Sequence, residues 1–121
     1  MSYHLKIEEH PAFLHAAVSG NNTAENVLRF LREAYEACVK RGASAVLLEM
    51  HLEGPTLDTG SIYSVIAQRS ESGKQLRKIA YVTPPNREPA KLKFAETVAI
   101  NRGVNVRMFP DVATAKKWLE E

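Results

Sequence analysis

Three short apolar runs, separated by segments of helical periodicity, constrain the fold of this chain more than any other feature of its sequence. The runs are ASAVLLEM (43–50), KIAYVT (78–83) and VNVRMF (104–109). Apolar runs of this length are typical of buried strands. Parallel strands need a long crossover between them, usually a helix. The alternation therefore predicts an α/β fold with parallel strands.

The segments that follow these runs carry the signals of helix starts and ends. A helix is predicted from Asp58, as its N-cap, to about Ser72. Pro89 is tolerated in the first turn of the next helix, and Gly103 ends that helix. Asp111 can cap a last helix. The apolar stripes of the three helices are Ile62, Val65 and Ile66; Leu92, Ala95, Val98 and Ala99; and Val112, Ala115, Trp118 and Leu119.

The first part of the chain predicts a hairpin followed by a helix. Residues 3–8 alternate between apolar and polar, and the run AFLHAAVSG (12–20) is apolar and ends on turn formers. The next segment places its apolar residues on one helical face, with Asn22 as its predicted cap and Gly42 as its stop. The complete prediction is a single domain over 1–121, with a mixed sheet of four or five strands and about four flanking helices.

Composition and charge exclude several classes of protein. The 16 basic and 14 acidic side chains are interleaved, and a net charge of +2 gives no electrostatic reason to expect nucleic acid as a partner. Cys38 is the single cysteine, which excludes an internal disulfide and fits a reducing cytosol. The sequence has no signal-peptide pattern, and no run approaches the roughly 18 apolar residues of a membrane span. We therefore expect a cytoplasmic protein without a membrane span.

The stretch LEGPTLDTGS (52–61) contains Asp-Thr-Gly-Ser, with which aspartic proteases present a catalytic carboxylate. In those proteases two such aspartates lie in turns of an all-β fold and share a proton. Here the stretch joins a predicted strand to a predicted helix. This context favours Asp58 as an N-cap that accepts hydrogen bonds from exposed backbone N–H groups.

The order of elements, together with four segments, resembles the STAS superfamily, and more closely the small bacterial proteins grouped as SpoIIAA-like or STAS/CRAL-TRIO-like. The segments are VLLEMHLEGP, LDTGSIYSVI, KIAYVTPP and LKFAETVAINRGVNVRMFPDVATAKKWL. The resemblance covers nearly all of the chain. It implies a mixed sheet flanked by helices, and a non-enzymatic regulatory or protein-interaction domain with a protein partner, related to the anti-sigma-factor antagonists.

In the anti-sigma-factor antagonists, the second serine of Asp-Ser-Ser-Gly is phosphorylated to switch binding. Matching Asp58 to that aspartate places Gly60 at the position of the phosphorylated serine. The neighbouring hydroxyls, Thr59 and Ser61, become the candidate phosphorylation sites, because a phosphate there would interact with the positive end of the helix. The resemblance implies an interaction surface that comprises His51, Asp58, Thr59 and Ser61.

The alternative function is a small-molecule or lipid-binding module, because CRAL-TRIO domains hold an apolar ligand in a closed cavity. A chain of 121 residues needs most of its apolar side chains for its own core, so a small apolar ligand is easier to accommodate than a lipid. Open α/β sheets bind ligands beyond the C-terminal ends of their parallel strands. At that edge Asn86 and Arg87 could contact an anion.

The histidines provide no complete catalytic or metal-binding set in the sequence. His51 could act as a general base, oriented by Glu49 or Asp58, but no spacing supports that constellation. His4 and His15 could meet across the hairpin, yet two imidazoles without a third ligand favour cross-strand packing. We therefore expect no enzyme, no cofactor and no metal site. A free sheet edge would allow a homodimer.

Overall fold

The alternation of strands and helices expected from the sequence is present in the computed structural model, which describes residues 3–83 and 85–121. The elements are β1 (Tyr3–Glu9), β2 (Leu14–Asn21), α1 (Ala24–Arg41), β3 (Ala45–Glu53), α2 (Thr59–Gly73), β4 (Lys78–Val82), α3 (Pro89–Asn101), β5 (Val106–Phe109) and α4 (Val112–Leu119). The five strands form one sheet in the order β1-β2-β3-β4-β5. β1 is antiparallel to β2, and the later pairs are parallel. The α/β class and the mixed sheet are confirmed.

The order of the parallel strands decides where the helices lie. A crossover between parallel neighbours is right-handed in nearly all proteins, so consecutive crossovers in one direction stay on one side of the sheet. α1, α2 and α3 accordingly pack against one face, which we call the helical face. α4 packs against the other, the α4 face. Alternate residues of each strand point to these two faces.

The helical face carries the larger hydrophobic core. β-branched and leucine side chains of the strands contact the apolar sides of the helices. A fully buried side chain of this kind contributes roughly 1.5–3 kcal/mol through removal from water. The largest fully buried side chains of this core are Phe30, Leu14, Leu48, Ile79 and Val18.

α1 is the longest helix, with 18 residues, and it is amphipathic. Its inner side buries Phe30, Ala34 and Cys38, while Glu25 and Arg29 form an ion pair of 3.3 Å on its outer side. Burial raises the pKa of the Cys38 thiol to about 11, as expected for a core cysteine.

Among the helices that the structure describes, none combines the length and the apolarity needed to cross a membrane.

α4 covers only part of the opposite face. Trp118 and Leu119 are buried against Leu47 and Ala80, which belong to β3 and β4. The rest of this face, formed by β1, β2 and the end of β3, is polar and exposed or half-exposed. We call it the open half of the α4 face; its polar residues are His4, Lys6, Glu8, His15, Ser19, Asn21, Glu49, His51 and Glu53.

Two cations and their hydrogen bonds secure the end of α4. Lys78 Nζ and the guanidinium of Arg107 each lie 5.0 Å from the centre of the Trp118 ring. Lys78 Nζ also donates to the Trp118 carbonyl at 2.7 Å, and Arg77 Nη2 donates to the Leu119 carbonyl at 3.4 Å. Carbonyls of the last helical turn have no partner within the helix, so these bonds stabilise the helix end.

The predicted cap of α1 is wrong by one residue. Thr23, not Asn22, is the N-cap, and its Oγ1 accepts from the backbone N–H of Asn26 at 3.1 Å. Asn22 instead donates from Nδ2 to the carbonyl of Pro55 at 2.8 Å. A long-range contact therefore selects between two adjacent residues that can both cap a helix.

The caps predicted for α2 and α4 are confirmed. Asp58 Oδ1 accepts from the N–H of Ser61 at 2.7 Å, and Asp111 Oδ1 accepts from the N–H of Thr114 at 2.8 Å. These backbone hydrogen bonds lower the pKa of both aspartates, because they favour the charged carboxylate. Pro89 lies in the first turn of α3, as expected.

Replacing Leu119 by alanine tests the packing of α4. Leu119 is completely buried, so Leu119→Ala is expected to lower the free energy of unfolding by about 3 kcal/mol, through lost burial and the cavity left behind. Val39→Ala, at a side chain that is 76% exposed, should change it by less than about 0.5 kcal/mol. Urea denaturation measures both variants, and equal effects would contradict the packing of α4 on the sheet.

Candidate functional site

A cavity of about 140 Å³ lies between the helical face of the sheet and the helices α2 and α3. It extends to the carboxyl ends of the parallel strands, the edge at which open α/β sheets bind ligands. Its walls are mainly apolar. Polar residues line the end near the strand termini, and Arg69 and Ser70 line the cavity near the end of α2. The apolar walls include Leu52, Ile62, Ala95, Val106 and Met108. The polar end, which we call the mouth, comprises Asn22, Thr56, Thr83, Arg87 and Lys91.

The cavity exists because α3 buries little of its own surface. Of the 13 residues of α3, only Ala99 is buried. Leu92, Ala95 and Ala99 line the cavity, and the two alanines leave space that larger side chains would fill. Most of the apolar stripe predicted for this helix therefore lines a cavity instead of closing a core.

Polar contacts, more than close packing, hold α3 in place. The backbone N–H of Met108 on β5 donates to Glu96 Oε2 at 3.0 Å. Arg102 Nη2 donates to the Tyr63 hydroxyl of α2 at 3.2 Å, and its guanidinium lies 5.4 Å from the centre of that ring. α3 is thus connected to β5 on one side and to α2 on the other, above the cavity.

Two tyrosines give the apolar walls a polar component. Tyr35 of α1 and Tyr81 of β4 both line the cavity. Burial raises the pKa of Tyr35 well above its ordinary value, and the neighbouring Tyr81 adds to this effect. Burial also raises the pKa of Tyr81 to about 12. Both hydroxyls are therefore protonated at neutral pH and can donate a hydrogen bond to a ligand.

Contacts from both sides fix the loop that joins β3 to α2, residues 54–58, beside the mouth. Arg87 donates from Nη2 to the Leu52 carbonyl at 2.5 Å and from Nη1 to the Gly54 carbonyl at 2.6 Å. Asn22 Nδ2 donates to Pro55 from the other side. The planar guanidinium suits such a two-point contact, because its N–H groups form a rigid fork.

Gly54 allows the chain to turn at this point. Its φ of 113° lies in a region that L side chains rarely adopt. A Cβ there would meet nothing within 4 Å, so the requirement for glycine is conformational and not steric. The turn presents the Gly54 carbonyl to Arg87.

The residues predicted at the strand ends are divided between the cavity and the surface. Arg87 lines the mouth, and Asn86 is exposed beside it. Asp58 and Thr59 are exposed and Ser61 is half-exposed at the start of α2, outside the residues that line the cavity. Anion contact and phosphorylation stay predictions for these residues.

His51 points away from the cavity. Its neighbours Met50 and Leu52 line the cavity, and side chains alternate along a strand, so His51 faces the opposite side of the sheet. There His51 Nε2 lies 2.6 Å from Glu49 Oε2, and His15 Nε2 lies 2.7 Å from Glu49 Oε1. Glu49 therefore orients His51, whereas Asp58 bonds to Ser61.

Glu49 is an ionised carboxylate between two imidazoles. Burial by itself would raise the pKa of Glu49, but the hydrogen bonds from His51 and His15 outweigh this effect and lower the pKa below its ordinary value. The carboxylate is half-buried, and each of its oxygens contacts a different ring. The His15–Glu49–His51 group is thus a fixed polar network on the open half of the α4 face.

The predicted meeting of His4 and His15 across the hairpin is wrong. The register of β1 and β2 places His4 opposite Ser19, and Glu8 opposite His15. His10, in the turn between the strands, lies near His15, with ring centres 5.9 Å apart. Sequence reasoning assigned no role to Glu8 and His10, because a hairpin register depends on loop length, which the sequence leaves open.

Tyr35, Tyr81 and Lys91 are among the cavity-lining residues that sequence reasoning missed. Tyr35 is one of the apolar residues that periodicity places on the inner face of the first helix, and Tyr81 belongs to the apolar run KIAYVT. A phenol in the middle of an otherwise aliphatic strand is a usable signal, since a buried tyrosine hydroxyl usually needs a partner.

The chain was compared with known proteins: no protein-family model and no curated protein matches it.

Removing the Arg87 fork is expected to release the loop at 54–58. Arg87→Gln loses at least one of two charge-assisted hydrogen bonds, so opening of the loop should become about tenfold more frequent. Hydrogen exchange of peptides that cover 52–58, followed by mass spectrometry, measures this change. Lys93→Gln removes an exposed charge of α3 that does not contact the loop and serves as the control. Unchanged exchange in Arg87→Gln would contradict the role of the fork.

Proposed function

We propose that this protein is a non-enzymatic module that binds a small ligand with an apolar body and a hydrogen-bond acceptor or negative charge at one end. The main support is the cavity of about 140 Å³, which combines apolar walls, two tyrosine hydroxyls and a polar mouth at the strand ends. A mainly apolar pocket with a few convergent polar groups is the common form of a small-molecule site.

The size of the cavity limits the ligand. An engineered cavity of about 150 Å³ is known to take up benzene. A cavity of about 140 Å³ therefore suits one six-membered ring or a short branched chain. A long acyl chain would require α3 to move away from the sheet. Such a movement would expose the half-buried Leu92 and Ala95 and the buried Val106, which line the same cavity, so the smaller ligand is favoured.

The mouth determines which end of the ligand faces outward. Lys91 contributes a positive charge there, and its ion pair with Glu88, at 3.5 Å, is weakened by solvent because Glu88 is exposed. Arg87 adds a second positive charge, although its two Nη groups bind backbone carbonyls. A carboxylate at the mouth would be attracted by both charges. The protonated Tyr35 and Tyr81 can donate to an acceptor deeper in the cavity.

This proposal agrees with the ligand-binding branch of the resemblance noted in the sequence. The CRAL-TRIO-like part of that resemblance implies an apolar ligand, and the STAS-like part implies a regulatory surface at the start of α2. Thr56 and Leu57, which precede that helix, line the cavity. In the proposed function, a bound ligand therefore contacts the same loop that leads to Asp58 and Thr59.

Native mass spectrometry of freshly purified protein tests for a bound ligand, and thermal unfolding with benzoate and toluene tests its chemistry. At about ten times the dissociation constant, a ligand stabilises the folded state by about 1.4 kcal/mol and raises the melting temperature by about 5 °C. We expect benzoate to act at lower concentration than toluene. Lys91→Gln should weaken benzoate alone, because toluene carries no charge.

A filled cavity provides the matched control. Ala95→Phe places a ring in the cavity and should abolish the benzoate shift, while Ala90→Phe makes the same change at an exposed position of the same helix. The proposal is overturned if Ala95→Phe folds and responds to benzoate and toluene like Ala90→Phe, or if neither probe stabilises the native protein.

A second candidate, a regulatory domain that binds a protein partner through residues 57–66, is favoured by the exposure of the start of α2. Asp58, Thr59 and Gly60 are exposed at the positive end of the helix, and the Tyr63 ring is 49% exposed one turn later. Exposed aromatic side chains are enriched at protein interfaces. A phosphate on Thr59 or Ser61 would add negative charge to this surface.

Comparative pull-downs from the native cell test the second candidate. Tyr63→Ala should reduce recovery of a specific partner at least fivefold, as expected when a central aromatic contact is lost. Val39→Ala removes an exposed apolar side chain from a different helix, α1, and should leave recovery unchanged. Equal recovery with both variants would reject this surface as the binding face.

A further inference from the structure

We propose that Glu8, His10 and His15 form a binding site for a single Zn²⁺ ion at the turn of the first hairpin. One ligand atom from each of these residues lies within 4.8 Å of the other two. They belong to the end of β1, the turn and the start of β2, so the ion would bridge the two strands of the hairpin. The site lies on the α4 face and is independent of the cavity and its ligand.

The separation of the donor atoms suits a shared cation better than a direct hydrogen bond. His10 Nε2 lies 3.7 Å from Glu8 Oε1, too far for a hydrogen bond. Two ligands at about 2.1 Å from a tetrahedral Zn²⁺ ion are about 3.4 Å apart. The Glu8–His10 pair is therefore already near its coordinated spacing, and the remaining atoms need to move by little more than 1 Å, a distance that side-chain rotation provides.

His10 supplies the most specific support. Among the residues that the structure describes, its Nε2 is the one buried side-chain nitrogen or oxygen without a hydrogen-bond partner. The ring is held by stacking on Phe13, with centres 4.8 Å apart, and the His10 backbone N–H donates to the Phe13 carbonyl at 3.0 Å. A buried nitrogen that is fixed in position without a partner is costly unless it binds something.

His15 has the second contact that metal-ligating histidines commonly have. Its Nε2 lies 2.7 Å from Glu49 Oε1. A carboxylate on one ring nitrogen fixes the ring and its tautomer, and leaves the other nitrogen with a lone pair for the metal. Glu49 is itself fixed by His51, whose Nε2 lies 2.6 Å from Glu49 Oε2. The orientation of the His15 ring therefore depends on a network of three residues.

Glu8 can provide one oxygen without losing its other contact. Its Oε2 lies 3.6 Å from Lys6 Nζ, while Oε1 faces His10. Lys6 is 73% exposed, so its charge is well solvated and opposes a bound cation only weakly. Two imidazoles and one carboxylate form a ligand set typical of Zn²⁺, with the fourth position open to water.

Isothermal titration of the full-length, tag-free, metal-free protein with ZnCl₂ tests the site. We expect one equivalent to bind at about pH 7.5. His10→Ala and His15→Ala should each weaken binding at least about tenfold. His4→Ala is the matched control, since His4 lies on the same strand face but opposite Ser19, outside the group.

Two further measurements keep the test decisive. Circular dichroism establishes that each variant is folded, and Glu8→Gln removes the carboxylate charge with little change of shape. Co²⁺ in place of Zn²⁺ should give visible absorption in the wild type and in His4→Ala, and not in His10→Ala. The proposal is overturned if Zn²⁺ does not bind below about 1 mM, or if folded His10→Ala, His15→Ala and Glu8→Gln bind it as tightly as His4→Ala.

Discussion

The consecutive order of β2, β3, β4 and β5 is the constraint on which the rest of the structure depends. Because each crossover has the same hand and direction, α1, α2 and α3 share one face of the sheet. Among the described helices, α4 alone packs on the other face, and its eight residues are too few to cover it. One topological fact thus creates both regions of interest: a layer of three helices with a cavity beneath α3, and a half-open sheet face with polar and histidine side chains.

The fold class and the short-range helix caps could be predicted from the sequence, whereas the partners of individual long-range side-chain contacts could not. Asp58 and Asp111 were correctly expected as caps, because a cap acts within three residues. The cap of α1 was placed on Asn22, since the contact of Asn22 with Pro55 spans 33 residues and leaves no local signal. The pairing of His4 with His15 failed for a similar reason: a change of register by a few residues exchanges the partners across a hairpin.

The candidate sites differ in what made them hard to foresee. The strand ends were expected to bind a ligand, and Arg87 does lie at the mouth. The cavity itself depends on how far α3 stands from the sheet, which periodicity does not define: the spacing of Leu92, Ala95 and Ala99 suits a core and a cavity lining equally well. His51 was expected at the same edge, but strand alternation puts it on the opposite face.

The contact between Glu96 and β5 has a consequence for assembly. β5 is an edge strand, and edge strands offer unpaired N–H groups to other chains. Here the N–H of Met108 is taken by Glu96, and the N–H of Val106 bonds to the carbonyl of Val104 at 3.2 Å. An incoming strand would have to displace an intramolecular acceptor at each of these positions. Extension of the sheet through β5 is therefore disfavoured, because each outward N–H of the strand named here already has an acceptor.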